Sequence, residues 1–230
     1  MPRALDVATA YAASVARLGV GMKALTPMKR PDQPLELYEF EGCPFCRKVR
    51  EALSILDLEA MVHPCPRGGE VYRPRVKEMG GRAMFPYLID PNTGTRMYES
   101  ADIIAYLFKT YGGRAAPALL RIDPLANATS FLASAVRPKG VRRRPARRPD
   151  KPLELWSFEA SPYCRIARET LCELELPYLL HNVAKGSPSR EAFIARSGKM
   201  QVPYLADPNT GTEMFESGDI KAYLLKTYGL

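Results

Sequence analysis

Cys43-Pro44-Phe45-Cys46 sets two sulfurs one helical turn apart, and the same surroundings return as Ser161-Pro162-Tyr163-Cys164 with the first sulfur replaced by a hydroxyl. A Cys-x-x-Cys that opens a helix holds its first sulfur among unpaired backbone N–H groups, at the positive end of the helix dipole, where the thiolate is favoured. Such thiols ionise at roughly 3.5–7.5 instead of about 8.5. Cys43 is therefore the candidate nucleophile, and Cys46 the thiol that resolves a mixed disulfide. The competing use of this spacing is a metal site. With one Cys-x-x-Cys in the unit and Cys65 isolated downstream, a zinc ribbon is poorly supported and no metal is expected; an iron–sulfur cluster is a further alternative, since its ligands are also thiolates.

The chain that carries this motif is built twice. Pro34-Leu35-Glu36-Leu37 returns as Pro152-Leu153-Glu154-Leu155, Asp90-Pro91-Asn92-Thr93-Gly94-Thr95 as Asp207-Pro208-Asn209-Thr210-Gly211-Thr212, and Lys109-Thr110-Tyr111-Gly112 as Lys226-Thr227-Tyr228-Gly229. An internal match at this spacing implies two domains of roughly 110–115 residues each. The expected layout is a helical leader over 1–33, a first domain over 34–113, a helix and a linker over 114–151, and a second domain over 152–230. The 230 residues are 46% hydrophobic, which suits two ordinary cores and argues against disorder. Five cysteines are too few for a secreted disulfide scaffold, and no apolar run is long enough to span a bilayer. Cytoplasm is the expected compartment, with organelle import directed by the first segment as the alternative.

The net charge of +8 concentrates in the linker, where Arg137, Lys139, Arg142, Arg143, Arg144, Arg147, Arg148 and Lys151 face only Asp150. With Pro138, Pro145 and Pro149 among them, the segment reads as a stiff, solvated strap. No aromatic residues are interleaved with the charges, so nucleic acid is not expected; a plain basic interdomain strap is, with weak contact with an anionic surface as the alternative.

The elements around Cys43 follow from local pattern. Leu35–Phe40 reads as a strand covered on both faces, and Phe45–Leu56 as a helix with Pro44 in its first turn. Ala60–Val62 is a second strand, and Arg73–Met79 a helix stopped by Gly80-Gly81. Phe85–Ile89 and Met97–Glu99 flank a hairpin turn, and Ser100 caps a closing helix, Ala101–Tyr111. The second copy repeats this order from Leu153 to Tyr228.

Strand, Cys-Pro-Phe-Cys, helix, then Phe85-Pro86-Tyr87-Leu88 and Glu99-Ser100-Ala101-Asp102-Ile103 resembles glutaredoxins and the N-terminal domain of glutathione transferases. The second copy resembles them through Ser161-Pro162-Tyr163-Cys164, Val202-Pro203-Tyr204-Leu205 and Glu216-Ser217-Gly218-Asp219-Ile220. The resemblance implies an α/β chain of two tandem thioredoxin-like domains, each a four-stranded mixed sheet flanked by helices. It further implies cis bonds at Phe85-Pro86 and Val202-Pro203, with the backbone of Phe85 and Val202 pairing an extended peptide such as glutathione. Glu99-Ser100 and Glu216-Ser217 are then the groups that take the γ-glutamyl amine and carboxylate. Glutathione is the implied co-substrate, and protein or small-molecule disulfides the partners. Ser161 is either a hydroxyl that stabilises a bound glutathione thiolate or a plain N-cap ahead of Pro162; the sequence leaves both open. The expected activity is glutathione-dependent thiol–disulfide exchange at Cys43 and Cys46, with conjugation at Ser161 or non-catalytic binding as alternatives. Transferases follow this domain with an all-helical one. Here the leader and its echo at Asn127–Val136 are expected to cover the corresponding surface.

Overall fold

The computed structural model describes residues 3–121 and 123–230; residues 1, 2 and 122, which fall in the expected leader and linker, lie outside the described residues. The first copy runs β1 (Leu35–Glu39), α2 (Pro44–Ile55), β2 (Ala60–Pro64), α3 (Tyr72–Gly80), β3 (Tyr87–Asp90), β4 (Thr95–Met97) and α4 (Ser100–Leu107), preceded by α1 (Arg3–Ala16). After a π turn over Phe108–Gly112 come α5 (Ala118–Arg121) and α6 (Asp123–Val136). The second copy repeats the order as β5 (Leu153–Ser157), α7 (Pro162–Glu173), β6 (Tyr178–Asn182), α8 (Ser189–Ser197), β7 (Tyr204–Asp207), β8 (Thr212–Phe215) and α9 (Ser217–Tyr228).

Local chemistry accounts for the element ends. Pro44 and Pro162 stand in the first turns of α2 and α7, where a missing N–H costs nothing. Gly81 and Gly198 close α3 and α8 with φ near 80°, a conformation open to glycine. In each hairpin an aspartate gathers the ends of its unit. Asp90 accepts hydrogen bonds from Tyr106, Tyr111 and Asn92, and Asp207 from Tyr223, Tyr228 and Asn209. The repeated Asp-Pro-Asn and Lys-Thr-Tyr-Gly sequences are two ends of one lock.

Within each copy the sheet order is mixed: β1 lies between parallel β2 and antiparallel β3, and β5 between β6 and β7. The expected two four-stranded sheets are present but not separate. β2 pairs antiparallel with β6, Ala60 opposite Leu180 and Val62 opposite Tyr178, giving one sheet ordered β4-β3-β1-β2-β6-β5-β7-β8. The joint hides the exposed edge each copy would carry alone. Leu37, Val49, Leu53, Leu88, Ile104 and Leu107 form the core of the first unit, and Leu155, Ala167, Leu171, Leu205, Ile220 and Leu224 that of the second.

The helices that precede each copy cross over. α1 packs on α7 of the second unit, α6 packs on α2 of the first, and the two pack on each other. Arg17 at the end of α1 returns to Glu51 on α2, and Arg137 at the end of α6 reaches Glu169 on α7 at 2.6 Å. Each arginine also donates across to the other leader, Arg17 to Thr129 and Arg137 to Thr9. This arrangement corrects the reading of the linker as solvated for its first part, while Arg142, Arg147, Arg148 and Lys151 are exposed as expected. Arg137 is buried, Lys139 pairs with Asp6, and Arg143 and Arg144 pair with Glu175 and Glu173. The strap is stapled to both copies through the backbone, Gly42 N–H to Gly140 C=O in the first and Arg147 N–H to Tyr228 C=O in the second.

Between the units the ion pairs are exchanged. Arg168 grips Glu41 with two hydrogen bonds of 3.0 and 3.2 Å, and Arg50 grips Glu159 at 3.0 and 3.4 Å. All four side chains are buried, and Arg50 also pairs with Glu39. Removing one partner of such a set strands charge away from water. Arg50→Met is expected to lower the unfolding free energy by about 3–5 kcal/mol, read from the urea midpoint. A change below about 1 kcal/mol, the size typical of an exposed pair, contradicts the role given to the network.

Candidate functional site

Cys43 is the N-cap of α2, in extended backbone (φ −77°, ψ 122°), and its Sγ accepts the Cys46 N–H at 3.2 Å. Burial opposes its ionisation, but hydrogen bonds from the Cys46 side chain and the Cys46 and Phe45 N–H groups outweigh it and hold the thiol below its ordinary pKa. Cys46 goes the other way. Burial, then its bond to Cys43 and the Cys43 charge, push it well above the ordinary value. Of the remaining cysteines, Cys65, Cys164 and Cys172 are all raised by burial. No pair is joined in a disulfide. Cys43 is only 3% exposed.

Ser161 takes the same place in the second unit, capping α7 with its Oγ accepting the Cys164 N–H at 3.3 Å. It too is 3% exposed, yet it lines a cavity of about 580 Å³. Tyr11, Val15, Leu18 and Met22 of α1 and the turn after it form one wall, and Phe158, Tyr163 and Val202 the other. Tyr163 and Val202 also line a second cavity of about 470 Å³ together with Pro203, Glu216, Ser217, Gln201 and Val7. The four residues expected to hold glutathione in this unit thus surround one space, adjoined by the Ser161 space. The leader was expected to cover such a surface, but the sequence did not reveal that α1 walls the site of the second unit; its apolar positions Val7, Tyr11, Val15 and Leu18 are the residues that do so.

The two X-Pro bonds, Phe85-Pro86 and Val202-Pro203, are cis. One detail departs from expectation: Ser100 and Ser217 are the first helical residues, and the N-cap positions belong to Glu99 and Glu216. Both glutamates have positive φ, 64° and 68°. A non-glycine residue there costs of order 1–3 kcal/mol and is held only by its surroundings, a pattern concentrated at ligand sites. This turn also ends β4 at Met97, two residues before the expected boundary. Gln201 donates to Glu216 at 2.6 Å across the cavity mouth.

The environments differ most above the first turn of each motif helix. Phe45 meets Phe131 of α6 edge-to-face at 5.4 Å, whereas Tyr163 faces open space towards Tyr11. The strap also lies on the Cys43 turn: a Cβ on Gly42 would fall 2.3 Å from Val141 Cγ2 and 3.0 Å from the Lys139 carbonyl. The second copy carries Ala160 at that position. His63 and His181 are occupied structurally, stacked on Tyr38 and Trp156 at 4.3 Å. Among the described residues, no group of three or more His, Cys, Asp or Glu is arranged to hold a metal ion, and no helix is long and apolar enough to cross a membrane.

Each unit is thus a thioredoxin-like domain with its site at the mouth of the first helix, before a cis-proline strand. The profile described as glutathione S-transferase, N-terminal domain, matches residues 37–115 and again 155–230. The chain belongs to the glutathione S-transferase N-terminal domain family, twice over. Among solved structures, glutathione transferase BmGSTD1 of Bombyx mori is 29% identical over 37% of this chain and 39% of its own, with a TM-score of 0.34. The trimeric glutathione transferase TDR1 of Leishmania is 14% identical over 84% of this chain and 66% of its own, with a TM-score of 0.30. The chain therefore spans under half the length of the Bombyx mori protein. A sequence search of curated proteins found no match.

Gly42→Ala is expected to lift the strap off the Cys43 turn. The overpacking costs about 1–3 kcal/mol in thermal unfolding and speeds labelling of Cys43 by a bulky maleimide. Unaltered labelling and stability contradict the contact.

Proposed function

We propose that the protein is a glutathione-dependent thiol–disulfide oxidoreductase whose working thiol is Cys43. The observation that carries this reading is that, of five cysteines, Cys43 alone is shifted towards its thiolate, and it sits at a helix N-terminus. The thiolate attacks a sulfur of a glutathione mixed disulfide, the partner thiolate leaves, and Cys43 is left joined to glutathione. A second glutathione or Cys46 then displaces it. Phe85 and Pro86 supply backbone for the tripeptide, and Glu99 and Ser100 its γ-glutamyl end; membership of the glutathione transferase N-terminal family supports that assignment. In the second unit, Val202, Pro203, Glu216 and Ser217 bind glutathione without dithiol exchange, because Cys164 has no thiol partner at Ser161.

A second reading, conjugation of glutathione at Ser161, is favoured by one observation. The apolar cavity beside Ser161, walled on one side by α1, offers room for a hydrophobic co-substrate. The two readings separate by mutation. Cys43→Ser is expected to abolish reduction of a glutathione mixed disulfide, a loss of at least about 10³-fold, while Cys46→Ser retains it through glutathione. Activity that survives Cys43→Ser overturns the first reading. Conjugation of a simple electrophile that is lost in Ser161→Ala and in Leu18→Asp, yet kept in Cys43→Ser, establishes the second.

A further inference from the structure

The strap that crosses the Cys43 turn carries more positive charge than the fold neutralises. Its backbone pairs with the loop after β2: the Arg67 N–H donates to the Val141 carbonyl at 2.6 Å, and the Arg67 carbonyl accepts the Arg143 N–H at 3.0 Å. This register sets Arg67 directly opposite Arg142 in a parallel bridge. Like charges opposite each other on paired extended segments repel.

The nearby carboxylates are engaged elsewhere. Arg143 takes Glu70 at 2.9 Å and Glu175 at 3.1 Å, and Arg144 takes Glu173 at 2.7 Å. The other Glu173 oxygen accepts the Gly140 N–H at 3.1 Å. Among the described residues no carboxylate pairs with Arg67 or Arg142, and both are exposed. These side chains gather around one space, a cavity of about 370 Å³ lined by Arg67 of the first unit, Arg142, Arg143 and Arg144 of the strap, and Glu173 of α7. With Arg143 and Arg144 compensated, the two charges of Arg67 and Arg142 remain.

We propose that this cavity binds a phosphate dianion, free or as the end of a phosphomonoester, between Arg67 and Arg142, and that the bound anion holds the strap on the Cys43 turn. A guanidinium presents a planar fork of N–H donors that matches phosphate oxygens in pairs. A phosphomonoester carries about −1.5 to −2 at pH 7, which meets two free arginines as chloride does not. The site stands independently of the reaction assigned to Cys43.

Val141 links the cavity to the thiol. It lines the cavity, and its Cγ2 is the atom that a Cβ on Gly42 would strike. The Gly140 carbonyl beside it takes the Gly42 N–H at 3.2 Å. One short stretch of strap is thus both a wall of the cavity and the cover of the Cys43 turn. An anion that bridges Arg142 of the strap to Arg67 of the unit binds the docked strap alone, so it stabilises that state by mass action. The second unit supplies a control: Lys185, at the position of Arg67, lies opposite Lys23 in a parallel bridge of the same kind, with point charges in place of forks.

The test is calorimetric titration of the full chain with inorganic phosphate at neutral pH and fixed ionic strength, which is expected to show one saturable site. Arg67→Gln and Arg142→Gln are each expected to weaken binding at least about tenfold, the size of one lost hydrogen-bonded charge contact. Lys185→Gln removes the same charge elsewhere and leaves binding unchanged. Glycerol phosphate separates the sources: tighter binding than phosphate assigns the site to a phosphomonoester, weaker binding to the free anion. Saturating phosphate is expected to slow labelling of Cys43 by a bulky maleimide several-fold in the wild type and to leave Arg142→Gln unaffected. A wild-type titration with no saturation by about 10 mM, which needs no variant, overturns the site. So does chloride that competes as well as phosphate, or a Lys185→Gln protein that loses as much affinity as the arginine variants. Saturable binding with unaltered labelling overturns the hold on the strap.

Discussion

The structure depends on the exchange of charge between its halves: Glu41 of the first unit held by Arg168 of the second, and Glu159 of the second held by Arg50 of the first. Charges removed from water are tolerated only when they are paired and hydrogen-bonded. Arg50 also pairs with Glu41 at 3.2 Å and Arg168 with Glu159 at 2.9 Å inside their own units, so the four side chains form one network across the joint. Burial raises the Glu159 pKa, but Arg168, Arg50 and Arg47 more than reverse this and bring it to about 2, so the carboxylate stays ionised. Glu41 and Glu159 each lie two residues before Cys43 and Ser161. The pairing that joins the units therefore also fixes the turns that present both candidate reactive groups.

From this shared frame the copies diverge. The first keeps a sulfur at the helix mouth, an aromatic lid of Phe45 on Phe131, and a strap across Gly42. The second replaces the sulfur by a hydroxyl and opens two adjoining cavities against α1. Chemistry concentrated on one side and space on the other is a physical basis for the proposed division of exchange and binding between the two units. The crossed leaders make this possible, because each helix walls the site of the copy it does not precede in sequence.

Much of each unit was legible in sequence because its signals are local. Prolines at helix starts, the glycines after α3 and α8, the Asp-Pro-Asn-Thr-Gly turns and the repeated motifs each specify their own neighbourhood. The joint was not legible. Arg50 on α2 finds its partner Glu159 109 residues away in the chain. Arg137 of the linker was misjudged for the same reason: charge in sequence carries no record of the Asp6 and Glu169 that neutralise it in the fold. Of the site, the cysteine, proline and Glu-Ser positions were legible. The cavity wall from α1 was not, since it depends on the crossing of the leaders.

The central claim is that Cys43 alone is shifted towards its thiolate and reacts with small reagents. The most direct measurement is the pH dependence of iodoacetamide alkylation in the native, reduced protein, with each cysteine followed by mass spectrometry. The account predicts that Cys43 reacts first, with an inflection below the roughly 8.5 of an ordinary thiol, while Cys46, Cys65, Cys164 and Cys172 stay unmodified. A Cys43 that is inert, or that titrates at or above the ordinary value, contradicts it.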